Sequence, residues 1–322
     1  MKRYLFFISL IILAFQPVAV NAGSIDWATL MPDLSDATYV KDDQKCLECH
    51  EEYMEPYSKT IHAKTFKFAA RNGSEGLGCE NCHGPLSKHL DAPKKSPPLV
   101  VSFKKERGLT SQQKSSICLQ CHEGGKRALW LGGIHNSRGL SCNTCHYVME
   151  KRSDQSLFIG ENAQDACFKC HKQLRAQINK QSHHPIKEGK IRCQDCHNPH
   201  GTVADKLISA NSINEKCYEC HAEKRGPFLW EHPPATESCL SCHTPHGSSH
   251  EKLLVAKRPY LCQRCHSNQQ HPGTPYCLSD TQVAAGNTVY QASSSRLFNR
   301  SCQNCHSQIH GSNHPSGKFY HR

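Results

Sequence analysis

CYECHAEKRGPFLWEHPPATESCLSCHTPHGS, residues Cys217 to Ser248, carries the pentapeptide C-x-x-C-H twice, closing on His221 and His243. The pentapeptide occurs ten times in the chain. Its cysteine pairs are Cys46 and Cys49, Cys79 and Cys82, Cys118 and Cys121, Cys142 and Cys145, Cys167 and Cys170, Cys193 and Cys196, Cys217 and Cys220, Cys239 and Cys242, Cys262 and Cys265, and Cys302 and Cys305. The histidines that follow are His50, His83, His122, His146, His171, His197, His221, His243, His266 and His306. The motif uses 20 of 21 cysteines, where chance would supply roughly 0.1 matches. Two thiols three residues apart suit thioether attachment to the two vinyl groups of one porphyrin. The histidine, four residues after the first cysteine, lies on the same face of a helical turn and serves as the proximal iron ligand. A zinc ribbon or a thioredoxin-like pair does not explain a histidine after every second cysteine. The chain therefore reads as a carrier of ten covalent haem c groups.

Residues 1–22 read as a secretory signal: Lys2 and Arg3, an apolar run from Tyr4 to Phe15, and Val20-Asn21-Ala22 before Gly23. The run is too short for a membrane helix, and no other stretch approaches 18 apolar residues. Haem attachment on the exported side of the inner membrane makes the periplasm the expected address. Residues 23–322 are expected to form one decahaem domain, and the spacing is compatible with two five-haem halves dividing near residue 190.

Composition argues for a cofactor core. The chain is 37% hydrophobic, with 17 prolines and 20 glycines, and by those figures alone resembles a disordered segment. Ten porphyrins supply the apolar faces that the side chains lack. Successive motifs start 33, 39, 24, 25, 26, 24, 22, 23 and 40 residues apart, which leaves no room for a second core. The expected fold is irregular coil with short α-helices wrapped around a continuous chain of haems, with little or no β-sheet. The net charge of +11 falls to +9 without Lys2 and Arg3, and each ferric haem with ionised propionates removes about one more. Basic residues then read as propionate partners, not as a nucleic-acid surface.

Two stretches lie outside the motif pattern. Gly84–Gly108 mixes Pro93, Pro97 and Pro98 with Lys94, Lys95, Lys104 and Lys105 and reads as an exposed loop. Thr274–Arg300 contains no motif, reads as a surface excursion, and carries the one unpaired cysteine, Cys277, an incidental thiol on this reading.

Thirteen of 23 histidines lie outside the motifs. Only Met31, Met54 and Met149 remain after signal removal, so bis-histidine ligation should dominate, with lower potentials than His/Met haems. The distal candidates are His62, His89, His135, His184, His200, His232, His246, His271, His310 and His314, leaving His183, His250 and His321 over. No motif histidine is replaced and distal donors exceed demand, so the pattern favours electron transfer over a catalytic iron with an open site.

The segment from Cys217 to Ser248, with SCQNCHSQIHGSNHPSGK from Ser301 to Lys318, closely resembles the periplasmic decahaem cytochromes of outer-membrane porin–cytochrome conduits, the MtrA/DmsE type. The resemblance runs from about Cys46 to the C-terminus and includes the CHxPHG and HGSNHPSGK strings. It implies a cytochrome inserted in a separate outer-membrane β-barrel porin, passing electrons between periplasm and cell exterior. The implied donor is a quinol-oxidising cytochrome on the inner side. The implied acceptor is a surface multihaem cytochrome or terminal reductase, with the Cys302 motif toward the outside. Ten haems at steps on the order of 10 Å exceed the roughly 40–45 Å of a bilayer, while a polar polypeptide cannot face lipid and needs a sheath from another chain. The alternatives are a soluble periplasmic electron carrier or store with the same haems, and a multihaem reductase.

Overall fold

The computed structural model describes residues 25–68, 75–94, 99–104, 108–266, 282–285, 288–291 and 302–321. The expected signal segment, His271 and Cys277 lie outside them. Among the described residues are fifteen α-helices, of which the longest, Ser111–His122, has 12 residues. Strand among the described residues is confined to two antiparallel pairs, Trp230–Glu231 with Gly311–Ser312 and Gln282–Ala285 with Thr288–Gln291. No helix among these residues is long and apolar enough to cross a membrane. The fold is mostly irregular chain with short helices.

The motifs alternate between two local structures. The first, third, fifth and seventh are entered through a helix whose first turn is capped by a side chain. Asp42 accepts from the Gln44 amide, Thr110 from Gln113, Asn162 from Asp165 and Ser212 from Glu215. Each cap satisfies an amide that the helix cannot pair internally, and so fixes where the motif begins.

In the motifs between, the C-x-x-C segment is itself a single turn: Glu80–His83, Cys142–Cys145, Cys193–Cys196, Cys239–Ser241 and Cys302–Asn304. After three of these the chain loops out and returns to bridge the motif histidine, pairing His146 with Phe158, His197 with Ile208 and His243 with Leu254. Two main-chain bonds bracket each bridge; at the first, Tyr147 N donates to Leu157 O at 2.7 Å and Ile159 N to Cys145 O at 3.0 Å. The return turns through left-handed residues, Ser156-Leu157, Lys206-Leu207 and Lys252-Leu253. Such residues cost of order 1–3 kcal/mol each and persist where surrounding bonds over-determine them. The structural repeat is therefore two motifs long.

Side chains alone build a small core near the N-terminus, where Trp27, Leu34, Leu99, Val101 and Ile117 pack together. Trp27 also donates its indole N–H to the Tyr39 hydroxyl at 2.6 Å. The Gly84–Gly108 stretch is thus not the exposed loop expected from its composition. Leu86, Leu99 and Val101 are buried, and Ser87–Asp91 is a helix. A tally dominated by lysine and proline conceals a few apolar residues whose burial decides the local path.

Beside this core sits Glu80, the second residue of the motif that starts at Cys79. Its carboxylate is 2% exposed and accepts from the amides of Val40 at 2.9 Å, Lys41 at 2.7 Å and Leu86 at 2.9 Å. It ties the N-terminal segment to the motif. Replacing Glu80 with Ala strands three amides and should lower stability by about 3 kcal/mol, with a smaller loss for Glu80→Gln, read from denaturant midpoints of the holoprotein.

Candidate haem-binding sites

In nine motifs the histidine N–H donates to the carbonyl of the first cysteine, four residues back, at 2.9–3.1 Å, and the tenth lies within the helix Ser111–His122. One turn of helix thus presents two sulfurs and an imidazole to one side, as thioether attachment with axial ligation requires.

At the even-numbered motifs a carbonyl also fixes the imidazole from behind. Nδ1 of His83 meets Val101 O at 2.8 Å, His146 meets Ser156 O at 2.7 Å, His197 meets Lys206 O at 2.9 Å, His243 meets Lys252 O at 2.9 Å, and His306 meets Phe319 O at 2.5 Å. An Nδ1–H bonded to a carbonyl leaves the Nε2 lone pair for a metal. The residue two beyond each carbonyl is Phe103, Phe158, Ile208, Leu254 or His321, and at Phe103, Phe158 and His321 its ring lies 4.8–6.1 Å from the motif imidazole. Sequence reading missed these backing segments. Their signal is a Ser/Lys-Leu-apolar tripeptide, Ser156-Leu157-Phe158, Lys206-Leu207-Ile208 and Lys252-Leu253-Leu254, closely following the motif histidine.

Among the described residues, eight motif histidines face a second imidazole. The pairs are His50 with His89, His122 with His62, His146 with His200, His171 with His135, His197 with His246, His221 with His184, His243 with His310 and His266 with His232. Their ring centroids are 5.9–6.4 Å apart. Two imidazoles on opposite sides of one metal, with bonds of about 2.0 Å and centroids about 1.1 Å behind the nitrogens, stand about 6.2 Å apart. The pairs therefore fit a haem iron. Five have nearly parallel rings, at 13–19°, whereas His62 and His122 are perpendicular at 89°. Burial pushes His200 and His310 down to about 4, with nearby cationic groups adding to it, and burial also lowers His62, His89, His232 and His246. A neutral imidazole is the form that ligates a metal.

His314 stands outside this set: its ring is exposed and Nδ1 accepts from Ser316 N at 3.1 Å. His183 bonds Lys180 O at 2.6 Å and Glu188 at 3.0 Å, so it is His184 that faces a motif histidine. His321 packs 4.8 Å from His306 in the backing position that Phe158 fills at His146.

The sites follow one another in chain order. Side-chain hydrogen bonds join the first cysteines of motifs one and two, three and four, five and six, seven and eight, and nine and ten. Between these couples the second cysteines approach: Cys82 and Cys121, Cys145 and Cys170, Cys196 and Cys220, Cys242 and Cys265. Cys142, Cys193 and Cys239 are held down at about 7 by hydrogen bonds from the thiols of Cys118, Cys167 and Cys217. One cavity of about 5230 Å³ runs along this file, lined by all ten motif histidines and every motif cysteine but Cys305. An even share of it per motif would fall within the roughly 300–1,000 Å³ of a single cofactor site.

Residues 183–226 and 232–271 match the family described as a doubled CXXCH motif, and residues 79–158 match the NrfB-like cytochrome c-type protein. Each doubled match spans an even motif and the odd one after it. The chain is 39% identical to the multiheme cytochrome MtrA of Shewanella baltica (strain OS185), over 95% of this chain and 92% of that one.

Two glycines hold the Pro-His-Gly segments in place. A Cβ on Gly201 would overlap the Leu129 carbonyl, and one on Gly247 the Gln177 carbonyl, each beside the imidazole of His200 or His246. Gly201→Ala and Gly247→Ala should each cost about 1–3 kcal/mol, read as a lowered Tm of the holoprotein. Gly124→Ala, with open space around it, should leave Tm unchanged.

Proposed function

Because this chain belongs to the multihaem c-type cytochromes of the MtrA type, we propose that it is a periplasmic decahaem protein that carries electrons across the outer membrane within a β-barrel porin. The observation that supports this most is that all ten motif histidines line one cavity. Haem iron, when bound, supplies reversible one-electron exchange between its ferrous and ferric forms.

The chain's own part is to attach, orient and enclose. In this reading the twenty motif cysteines anchor ten haems, the motif histidines are proximal ligands, and the facing histidines of the eight pairs are distal ones. The distal position at the Cys302 motif goes to His271 or His314, since His321 backs His306. Where two imidazoles would hold a haem iron from both sides, substrate would find no vacancy there, which is why relay is preferred to reduction of a small molecule at the haem. Main-chain carbonyls behind five motif histidines hold each ring to one tautomer and one orientation.

The signal at residues 1–22 directs export, and a porin sheath hides the polar surface from lipid. A quinol-oxidising cytochrome at the inner membrane or in the periplasm delivers electrons to the N-terminal sites. A surface multihaem cytochrome or terminal reductase takes them from the Cys302 end, on the way to metal oxides or dimethyl sulfoxide.

Proteoliposomes bearing the porin and enclosing a reduced dye test this. External acceptor should be reduced only when the cytochrome, carrying ten haems by intact mass, is present. Removing the last haem by replacing Cys302 and Cys305 should slow exit to the outside and leave reduction of the inner haems intact. Loss of electron entry instead would reverse the polarity, and failure of porin and cytochrome to associate would favour the soluble carrier.

A further inference from the structure

His83 is the motif histidine for which the chain's histidines run out. Residues 1–182 hold eight histidines: His50, His62, His83, His89, His122, His135, His146 and His171. Six of them form the pairs His50–His89, His62–His122 and His135–His171, and His146 faces His200. Among the described residues, the non-motif histidines outside these pairs are His183, His250, His314 and His321, all far along the chain, and His271, outside the described residues, follows the ninth motif in the sequence. His183 has both ring nitrogens engaged. The others belong to the segments around the eighth motif and beyond, at the opposite end of a file that runs in chain order.

The two-motif repeat indicates what replaces an imidazole. An even-numbered motif receives its facing ring from just beyond the next even-numbered motif. His146 is faced by His200, three residues after His197, and His197 by His246, three after His243. His243 is faced by His310, four after His306. The same step from His83 leads to His146, and three residues further to Met149. There Pro-His-Gly gives way to Val148-Met149-Glu150.

The structure brings these segments together. The Asn143 side chain, in the motif that ends at His146, donates to Phe103 O at 3.3 Å. Phe103 lies 6.1 Å from the His83 ring, and His83 is bonded to Val101 O, two residues before Phe103. Met149 is half-buried and lines the same cavity as His83. The two other mature methionines are placed for other tasks: Met31 packs against the Trp27 cluster, and Met54 is 52% exposed.

We propose that Met149 is the sixth ligand of the haem held by Cys79, Cys82 and His83, making it a His/Met site in a file otherwise ligated by imidazole pairs. The assignment rests on the reading that every C-x-x-C-H motif holds a haem. A thioether stabilises ferrous over ferric iron relative to imidazole, so this second site from the N-terminus is an electron-accepting step placed next to the point of entry.

The test is spectroscopic. Oxidised wild-type protein should show the long-wavelength sulfur-to-iron charge-transfer band, detectable by magnetic circular dichroism, with the intensity of about one haem in ten. Potentiometric titration should show the same fraction titrating at higher potential than the rest. Met149→His should abolish the band and merge that fraction with the main wave, while Met54→Leu and Met31→Leu leave both in place. A wild-type protein with ten haems and no such band overturns the assignment, and so does a band that disappears in Met54→Leu. Intact mass reads the haem count separately: a matured protein lacking one haem at the Cys79 motif would fail the parent reading and the ligand assignment with it.

Discussion

Two imidazole rings 5.9–6.4 Å apart, one from a C-x-x-C-H motif and one from elsewhere in the chain, are the contact around which the rest of this protein is arranged. The separation leaves room for one metal and for the porphyrin plane perpendicular to the line between the rings. Everything the polypeptide lacks follows from it. Only ten hydrophobic side chains are buried among the described residues, and five of those form one small cluster beside the N-terminus. A chain so poor in apolar burial offsets its conformational entropy through the cofactor faces, so folding and haem attachment are a single problem.

The pairs are also linked to one another. His135, which faces His171, donates Nδ1 to Pro199 O at 2.8 Å, and Pro199 precedes His200, which faces His146. His184 does the same with Pro245 O at 2.7 Å, next to His246. The ring that faces one motif histidine is therefore anchored on the segment that carries the ring facing its neighbour. The first repeat departs from this: the buried Nδ1 of His62 has no hydrogen-bond partner among the described residues, in the repeat where Met149 stands in the histidine slot. Interlocking of this kind fixes successive sites relative to each other, which a relay needs more than any single site needs a particular affinity.

Much of this was legible in the sequence. The motif, being covalent chemistry at fixed spacing, identifies its own cofactor. The CHxPHG string stands at both the sixth and the eighth motif, two motifs apart, without revealing its use. Which imidazoles meet was not legible, because each facing ring arrives from another motif's neighbourhood through a long loop; His200 reaches back to His146 across two further motifs. Adjacent His183 and His184 differ only in direction, and it is Glu188 and Lys180 that turn His183 away. Counting methionines argued against a general role for sulfur, but a count carries no register, and register is what separates Met149 from Met31 and Met54. Gly84–Gly108 misled for a related reason, since its average polarity hid Leu99 and Val101.

The central claim concerns where the irons lie and in what order. Anomalous scattering at the iron edge from crystals of the holoprotein measures both. The account predicts ten peaks in a single file that follows the motifs from Cys46 to Cys302, with a peak midway between the rings of each of the eight pairs, including His146 with His200 and His197 with His246. A branched or reordered file, or a peak at His146 whose opposite ligand is something other than His200, would contradict it.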